Sequence, residues 1–362
     1  MARFPQLLSP VRLGAIRLPN RVLMAPMTRS RAQADGTVAD STAEYFAQRA
    51  TSGLMVTDAT MISPQAVGYP NTPCLWTEAH FMAWQRVTRA VHKASGRIAL
   101  QLNHVGRLAL PAFHPDHEAP VAPSAIPAER VMMRGPNLKE EPAPEPRALE
   151  QPEIAAIVAQ FGAAARRAKI AGFDAVEIHA GDGFLIDQFL RDGVNRRYDR
   201  FGGSPENRAR FLLAVTEAVA RERGADRTGV RLTPLSPTND MRDRDPVLTF
   251  GTALKQLAVL DIAWTHLGEM NDNDTTRRLR DAYGKRFVLN GGFTPDSAND
   301  AIKSELAIAV SFGTAYIANP DLVERFRLDA PLATPDRSTF YTGGARGYTD
   351  YPTLANTPER QD

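Results

Sequence analysis

The chain has 362 residues, 43% hydrophobic and 23% charged, the balance of a globular protein able to bury a sizeable core. Its 43 basic and 41 acidic residues leave a formal charge of +2, neither large nor clustered, which argues against nucleic acid or an anionic membrane as partner. A single cysteine, Cys74, excludes a disulfide within the chain and speaks against a cysteine-built metal site.

The N-terminal stretch MARFPQLLSPVRLGAIRLPNRV is broken by proline and arginine and lacks the apolar core of a signal peptide. No run approaches 18 apolar residues, so a cytoplasmic enzyme without a membrane span is expected. Short segments rich in Val, Ile and Leu then recur at 22–26, 54–58, 98–102, 175–179, 229–233, 263–267, 287–290 and 308–312. Their nearly continuous hydrophobicity is that of buried parallel strands. Helical stretches lie between them at 78–93, 153–171, 206–222, 247–259 and 297–303. In the second of these, Ile154, Ile157, Val158, Phe161, Ala165 and Ala168 recur at helical spacing.

Eight strands alternating with helices predict an α/β fold, a parallel eight-stranded (β/α)8 TIM barrel forming a single domain over 1–362. The competitor is a doubly wound open sheet, disfavoured because no G-x-G-x-x-G follows the first strand. Residues 108–152 form one long proline-rich insertion after the third strand, expected to be a lid over the barrel mouth.

Barrel chemistry gathers at the C-terminal ends of the strands. Those ends carry Pro26, Met27 and Thr28, then Ala59, Gln101 and Asn103, then His179, Asp182 and Phe184, then Arg231, and last Gly291-Gly292 and Gly313-Thr314. Glycine turns near the last two strands allow backbone N–H groups to approach a phosphate. The set therefore suits a planar polar ligand with a phosphate tail. His179 and Asp182 have no evident third companion for a metal, and none is expected. Asp182 also reads as a helix N-cap ahead of the helix expected near Phe184.

The stretches MAPMTRSRA (24–32), ISPQAVGYP (62–70), AGFDAVEIH (171–179), NRRYDRFGGSPENRARF (195–211), IANPDLVERF (317–326) and TFYTGGARGYTDYPTL (339–354), with the segment 101–107, run in order over nearly the whole chain. Together they resemble the Old Yellow Enzyme family of FMN-dependent NADH:flavin oxidoreductases, most of all its bacterial N-ethylmaleimide reductase-like branch. The resemblance implies FMN as cofactor and NAD(P)H as reductant. It implies that Thr28 meets flavin O4, that Gln101 bonds the pyrimidine edge and that Arg231 lies near N1 and O2. Pro26, Met27 and Ala59 would lie beside the ring, and Gly291, Gly292 and Gly313 in the phosphate turns. His179 would hold the substrate oxygen, and Tyr69 and Tyr341 would line the substrate pocket with Thr28.

Four positions depart from the family pattern, and all fall in the expected site. Asp182 replaces an Asn or His that donates to the substrate oxygen. Phe184 replaces the tyrosine that protonates the substrate Cα, Asn103 a tryptophan, and Thr314 the phosphate-binding arginine. Loss of a positioned acid typically costs ~10²–10⁴ in rate. Loss of the arginine implies weakened or lost FMN, and Asn103 implies a wider pocket for a bulky enone-like substrate. The expectation is an FMN oxidoreductase acting on an α,β-unsaturated carbonyl compound, as a monomer or homodimer. The alternative is a barrel with little or no flavin, in which Asp182 serves as acid/base in a redox-neutral isomerisation or cyclisation.

Overall fold

The computed structural model describes residues 3–268 and 272–356. Its centre is a closed barrel of eight parallel strands: β1 (Val22–Met24), β2 (Met55–Met61), β3 (Ile98–Asn103), β4 (Ala175–His179), β5 (Thr228–Leu232), β6 (Trp264–Leu267), β7 (Phe287–Leu289) and β8 (Ala307–Phe312). Neighbours in sequence are neighbours in the barrel, and β8 closes on β1 through Val310–Val22. This is the expected (β/α)8 architecture.

The helices are α1 (Ser41–Gln48), α2 (Glu78–Lys93), α3 (Gln151–Ile170), α4 (Leu185–Leu190), α5 (Pro205–Arg223), α6 (Pro246–Val259), α7 (Asn273–Tyr283), α8 (Pro295–Lys303), α9 (Thr314–Ala318) and α10 (Leu322–Leu328). Their starts are encoded locally. Ser204, Asp245 and Thr294 each accept a backbone N–H of the first turn, and a proline opens the helix that follows. α3 buries Ile154, Ile157, Phe161 and Ala165 against the barrel, as the periodicity requires.

One end of the barrel is plugged. A hairpin, Val11–Leu13 with Ile16–Leu18, places Leu13, Ile16 and Leu18 against Leu23, Val56, Ala99, Ala175 and Trp264. Its turn residue Gly14 has φ +54°, and a Cβ there would stand 2.1 Å from the Asp226 carbonyl oxygen, so only glycine fits. These side chains fill the N-terminal half of the barrel, which leaves the C-terminal mouth as the open end. Residues 108–152 carry a second hairpin, Met132–Arg134 with Glu140–Pro142, beside that mouth. Among the described residues, no helix is long and apolar enough to cross a membrane.

Candidate active site

Parallel register builds the site. Glu177 of β4 stands beside Gln101 of β3, His179 beside Arg231 of β5, and Arg231 beside His266 of β6. Alternate residues of a strand share a face, so Glu177 and His179 both point into the barrel, one above the other.

Above them opens a cavity of about 390 Å³ lined by Ala25, Pro26, Met27, Thr28, Ala59, Gln101, His179, Asp182, Phe184, Arg231, Asn290, Gly313, Thr314 and Tyr341. A second, outer cavity of about 730 Å³ shares Thr28, Phe184 and Tyr341 with it and adds Tyr69, Asn71 and, from the second hairpin, Arg134 and Glu140. Twelve of the expected site residues thus meet in the inner cavity, and Tyr69 joins them through the outer one.

Three do not line either cavity. Asn103 is wholly buried; its amide nitrogen lies 3.9 Å from the Met61 sulfur and its Oδ1 has no partner among the described residues. Gly291 and Gly292 follow Asn290 with φ of +133° and +64°, conformations that suit glycine, but it is Asn290 that faces the cavity. The sequence reading did not single out Asn290, Asn239 or Phe340, which also line the cavity.

Asp182 adopts a left-handed conformation, φ +55°, followed by Gly183 at +78°. Its backbone is pinned by two bonds: its N–H donates to the Thr233 hydroxyl at 2.7 Å, and its carbonyl accepts the Asn239 amide at 2.7 Å. Its side chain does not cap α4. Phe184 is the residue before α4, and Asp187 accepts the Gly183 N–H instead. The Asp182 carboxylate lies 3.5 Å from His179 Nε2 and 4.0 Å from Arg231 Nε. Burial pushes the His179 imidazole down to about 4, against the opposing pull of Asp182, so the ring is neutral near pH 7. Phe184 packs edge-on against His179 at 4.8 Å between ring centroids and against Tyr69 at 6.3 Å.

Beneath the cavity floor lies a buried polar network. Glu177 Oε1 accepts the Gln101 amide at 2.9 Å, and Oε2 accepts Trp264 Nε1 at 2.9 Å and His266 Nδ1 at 3.0 Å. Arg231 donates to His266 Nε2 at 3.0 Å and to Asn290 Oδ1 at 3.4 Å. Burial by itself would raise the Glu177 carboxyl, but His266, Arg231 and the bond from Trp264 outweigh it and bring it down to about 2. Burial holds the His266 ring below its ordinary range, and Arg231 donating to Nε2 leaves Nδ1–H for Glu177.

These features fit a flavin ring. With its NH₂ engaged by a carboxylate that can only accept, Gln101 offers its carbonyl to the cavity, the partner an imide N–H requires. Arg231 places a cation at the same floor, where negative charge on a reduced ring would collect, and among the described residues the Thr28 hydroxyl has no partner. At the other end, Gly313 and Thr314 line the cavity without a cation. The remaining arginine of the lining, Arg29, is engaged elsewhere, by the carbonyls of Phe340 and Gly347 and the Tyr45 hydroxyl.

Residues 6–332 match the model of the NADH:flavin oxidoreductase / NADH oxidase family. The chain belongs to this family, the Old Yellow Enzymes. It is 40% identical to 12-oxophytodienoate reductase 2 of Arabidopsis thaliana over 97% of this chain and 96% of that protein. It is 39% identical to the flavin oxidoreductase hxnT of Emericella nidulans over 96% and 97%. Among solved structures, morphinone reductase in complex with tetrahydroNAD superposes with a TM-score of 0.94 at 44% identity, covering 98% of this chain and 99% of that one. The old yellow enzyme homologue from Zymomonas mobilis gives 0.93 at 40% identity, over 97% and 100%. The protein is therefore an FMN-dependent oxidoreductase that takes its electrons from a nicotinamide.

Proposed function

We propose that this Old Yellow Enzyme reduces the C=C bond of a bulky α,β-unsaturated carbonyl compound. The observation that carries the reading is the neutral His179 of the inner cavity, packed edge-on against Phe184, which lines both cavities. On one side stand Gln101, Arg231 and Thr28, a set that fits a flavin; on the other opens the outer cavity beside Tyr69. FMN held by Gln101, Arg231 and Thr28 would supply the hydride for the substrate Cβ. His179 donates Nε2–H to the substrate oxygen and gains strength as that oxygen becomes an enolate.

The carboxylate of Asp182 beside it works the other way. It accepts hydrogen bonds and opposes negative charge on the substrate oxygen, so the site activates its substrate less than a pair of donors would. Phe184 has no proton for Cα. Tyr69 lies edge-on to Phe184, its hydroxyl makes no bond among the described residues, and burial pushes it up to about 12, so it carries its proton at working pH. In this reading Tyr69 protonates Cα and is reloaded by water through the outer cavity. The 132–142 hairpin, with Arg134 and Glu140 facing that cavity, serves as the lid.

The redox-neutral alternative is not favoured: two of the relatives named above are named as reductases and a third as a flavin oxidoreductase, and Gln101 and Arg231 stand poised for a flavin. The test is anaerobic incubation of the FMN-loaded protein with NADH and 2-cyclohexenone. Cyclohexanone should appear one-for-one with NADH consumed. Consumption of a substrate without NADH oxidation would replace this reading with the redox-neutral one.

A further inference from the structure

Both residues that meet the flavin edge in this reading, Gln101 and Arg231, hang from one buried carboxylate that lines neither the inner nor the outer cavity. Glu177 binds Gln101 through Oε1 and reaches Arg231 through His266, whose ring it holds with Nδ1 protonated. Glu177 is completely buried, and Trp264, which donates to its second oxygen, is only 3% exposed. A buried charge with this many donors costs more to keep than an apolar residue of the same size. A purely structural role leaves that cost unexplained. An amide side chain has two faces of nearly equal shape, and only a neighbour that cannot donate fixes which one looks into the cavity.

We propose that Glu177 is a positioning residue for flavin recognition: it locks the Gln101 amide so that an acceptor, and never a donor, faces the N3–H of the cofactor. The proposal rests on the assignment of Gln101 to the flavin edge. Glu177→Gln tests it because the replacement is isosteric. The single carbonyl oxygen left at 177 must serve Trp264 and His266, so the new NH₂ points at the Gln101 NH₂. Gln101 escapes the clash by turning over, which puts its NH₂ against the flavin N3–H.

The measurement is the dissociation constant of FMN and of N3-methyl-FMN, each by quenching of flavin fluorescence. Wild-type protein should prefer FMN by about tenfold or more, the value of one well-placed hydrogen bond in a dry site. Glu177→Gln should weaken FMN by about 10- to 100-fold and bring the two ligands within about threefold of each other. The double variant Glu177→Gln/Gln101→Glu again sets an amide against a carboxylate and should restore the preference. If the single variant does not fold, Glu177→Asp keeps the charge but draws it back, and should cut the preference at least about threefold. A wild type without preference would overturn the assignment of Gln101. A wild type with the preference, and a 177 variant that keeps it in full, would overturn the role of Glu177 alone.

Discussion

Replacing Asp182 with Asn should make this enzyme faster. The position is left-handed, a conformation asparagine tolerates as readily as aspartate, and both backbone anchors, to Thr233 and from Asn239, use main-chain atoms that survive the change. A substrate oxygen held by His179 Nε2 would sit within a few ångströms of the carboxylate, which is itself 3.5 Å from that nitrogen. Two unit charges about 4 Å apart repel by about 4 kcal/mol at an effective dielectric constant of 20. The Asp182 side chain is 25% exposed and Arg231 lies 4.0 Å away, so screening reduces this to about 1–2 kcal/mol. Asparagine also brings a donor, worth about 1 kcal/mol. The sum, about 2–3 kcal/mol, predicts a rise of about 30- to 150-fold in the rate constant for reoxidation of the reduced protein by 2-cyclohexenone, read by anaerobic stopped flow. The flavin reduction step by NADH is the internal control. A fall in the reoxidation rate would refute the reasoning and show that Asp182 accepts a hydrogen bond from the substrate or gives it a proton.

Tyr69→Phe should slow the same step by about 10²–10⁴, the usual value of a positioned acid, and abolish the solvent deuterium isotope effect on it. In a Phe184→Tyr background the Tyr69→Phe change should have little effect, because the new hydroxyl takes over; an undiminished loss there would contradict the assignment. Thr314→Arg adds a charge-assisted bond at the cation-poor end of the cavity and should tighten FMN by about 10- to 100-fold in equilibrium dialysis, where an unchanged constant would place the phosphate elsewhere. The His179 ring, pushed down to about 4, stays neutral as pH falls from 8 and gains its proton only near that value. Its C–H resonance should therefore titrate with a midpoint near 4, and a midpoint near 6.5 would show that the ring is solvated as in an unfolded chain.

The eight strands were legible because each is a short, wholly or largely buried segment dominated by apolar residues, as parallel barrel strands are. β2 proved longer than its apolar core, reaching Met61 through Asp58 and Thr60, which are buried by bonding to the Arg29 N–H and to local carbonyls. Four helices, α1, α7, α9 and α10, escaped notice. α7 reads NDTTRRLRDAY and buries Thr275 and Thr276 along with Leu279 and Tyr283, so its inner face carries too few apolar residues to show a period. α1 is only eight residues long and hides Thr42, Tyr45 and Phe46.

In the site, positions at strand ends were readable because the barrel fixes where those ends go. Asn103 was not, because the last residue of a strand can turn into the packing as easily as into the mouth, and this one turns toward Met61. Glu177 carried a signal that went unused: a charge in the middle of the strand AVEIH, with apolar residues on both sides, cannot reach solvent and must have a partner inside. Which partner follows only from the register that sets it beside Gln101 and near His266.

The central claim is that a flavin on the Gln101–Arg231 floor passes hydride to an enone held by His179. The most direct test is a double-mixing experiment: the FMN-loaded protein is bleached anaerobically with one equivalent of NADH, then mixed with 2-cyclohexenone while the flavin band is followed. The account predicts that the band returns in full, with cyclohexanone formed in equal amount, and that His179→Ala slows the return without slowing the bleaching. A band that stays bleached in the presence of enone, or that returns at the same rate without His179, would contradict it.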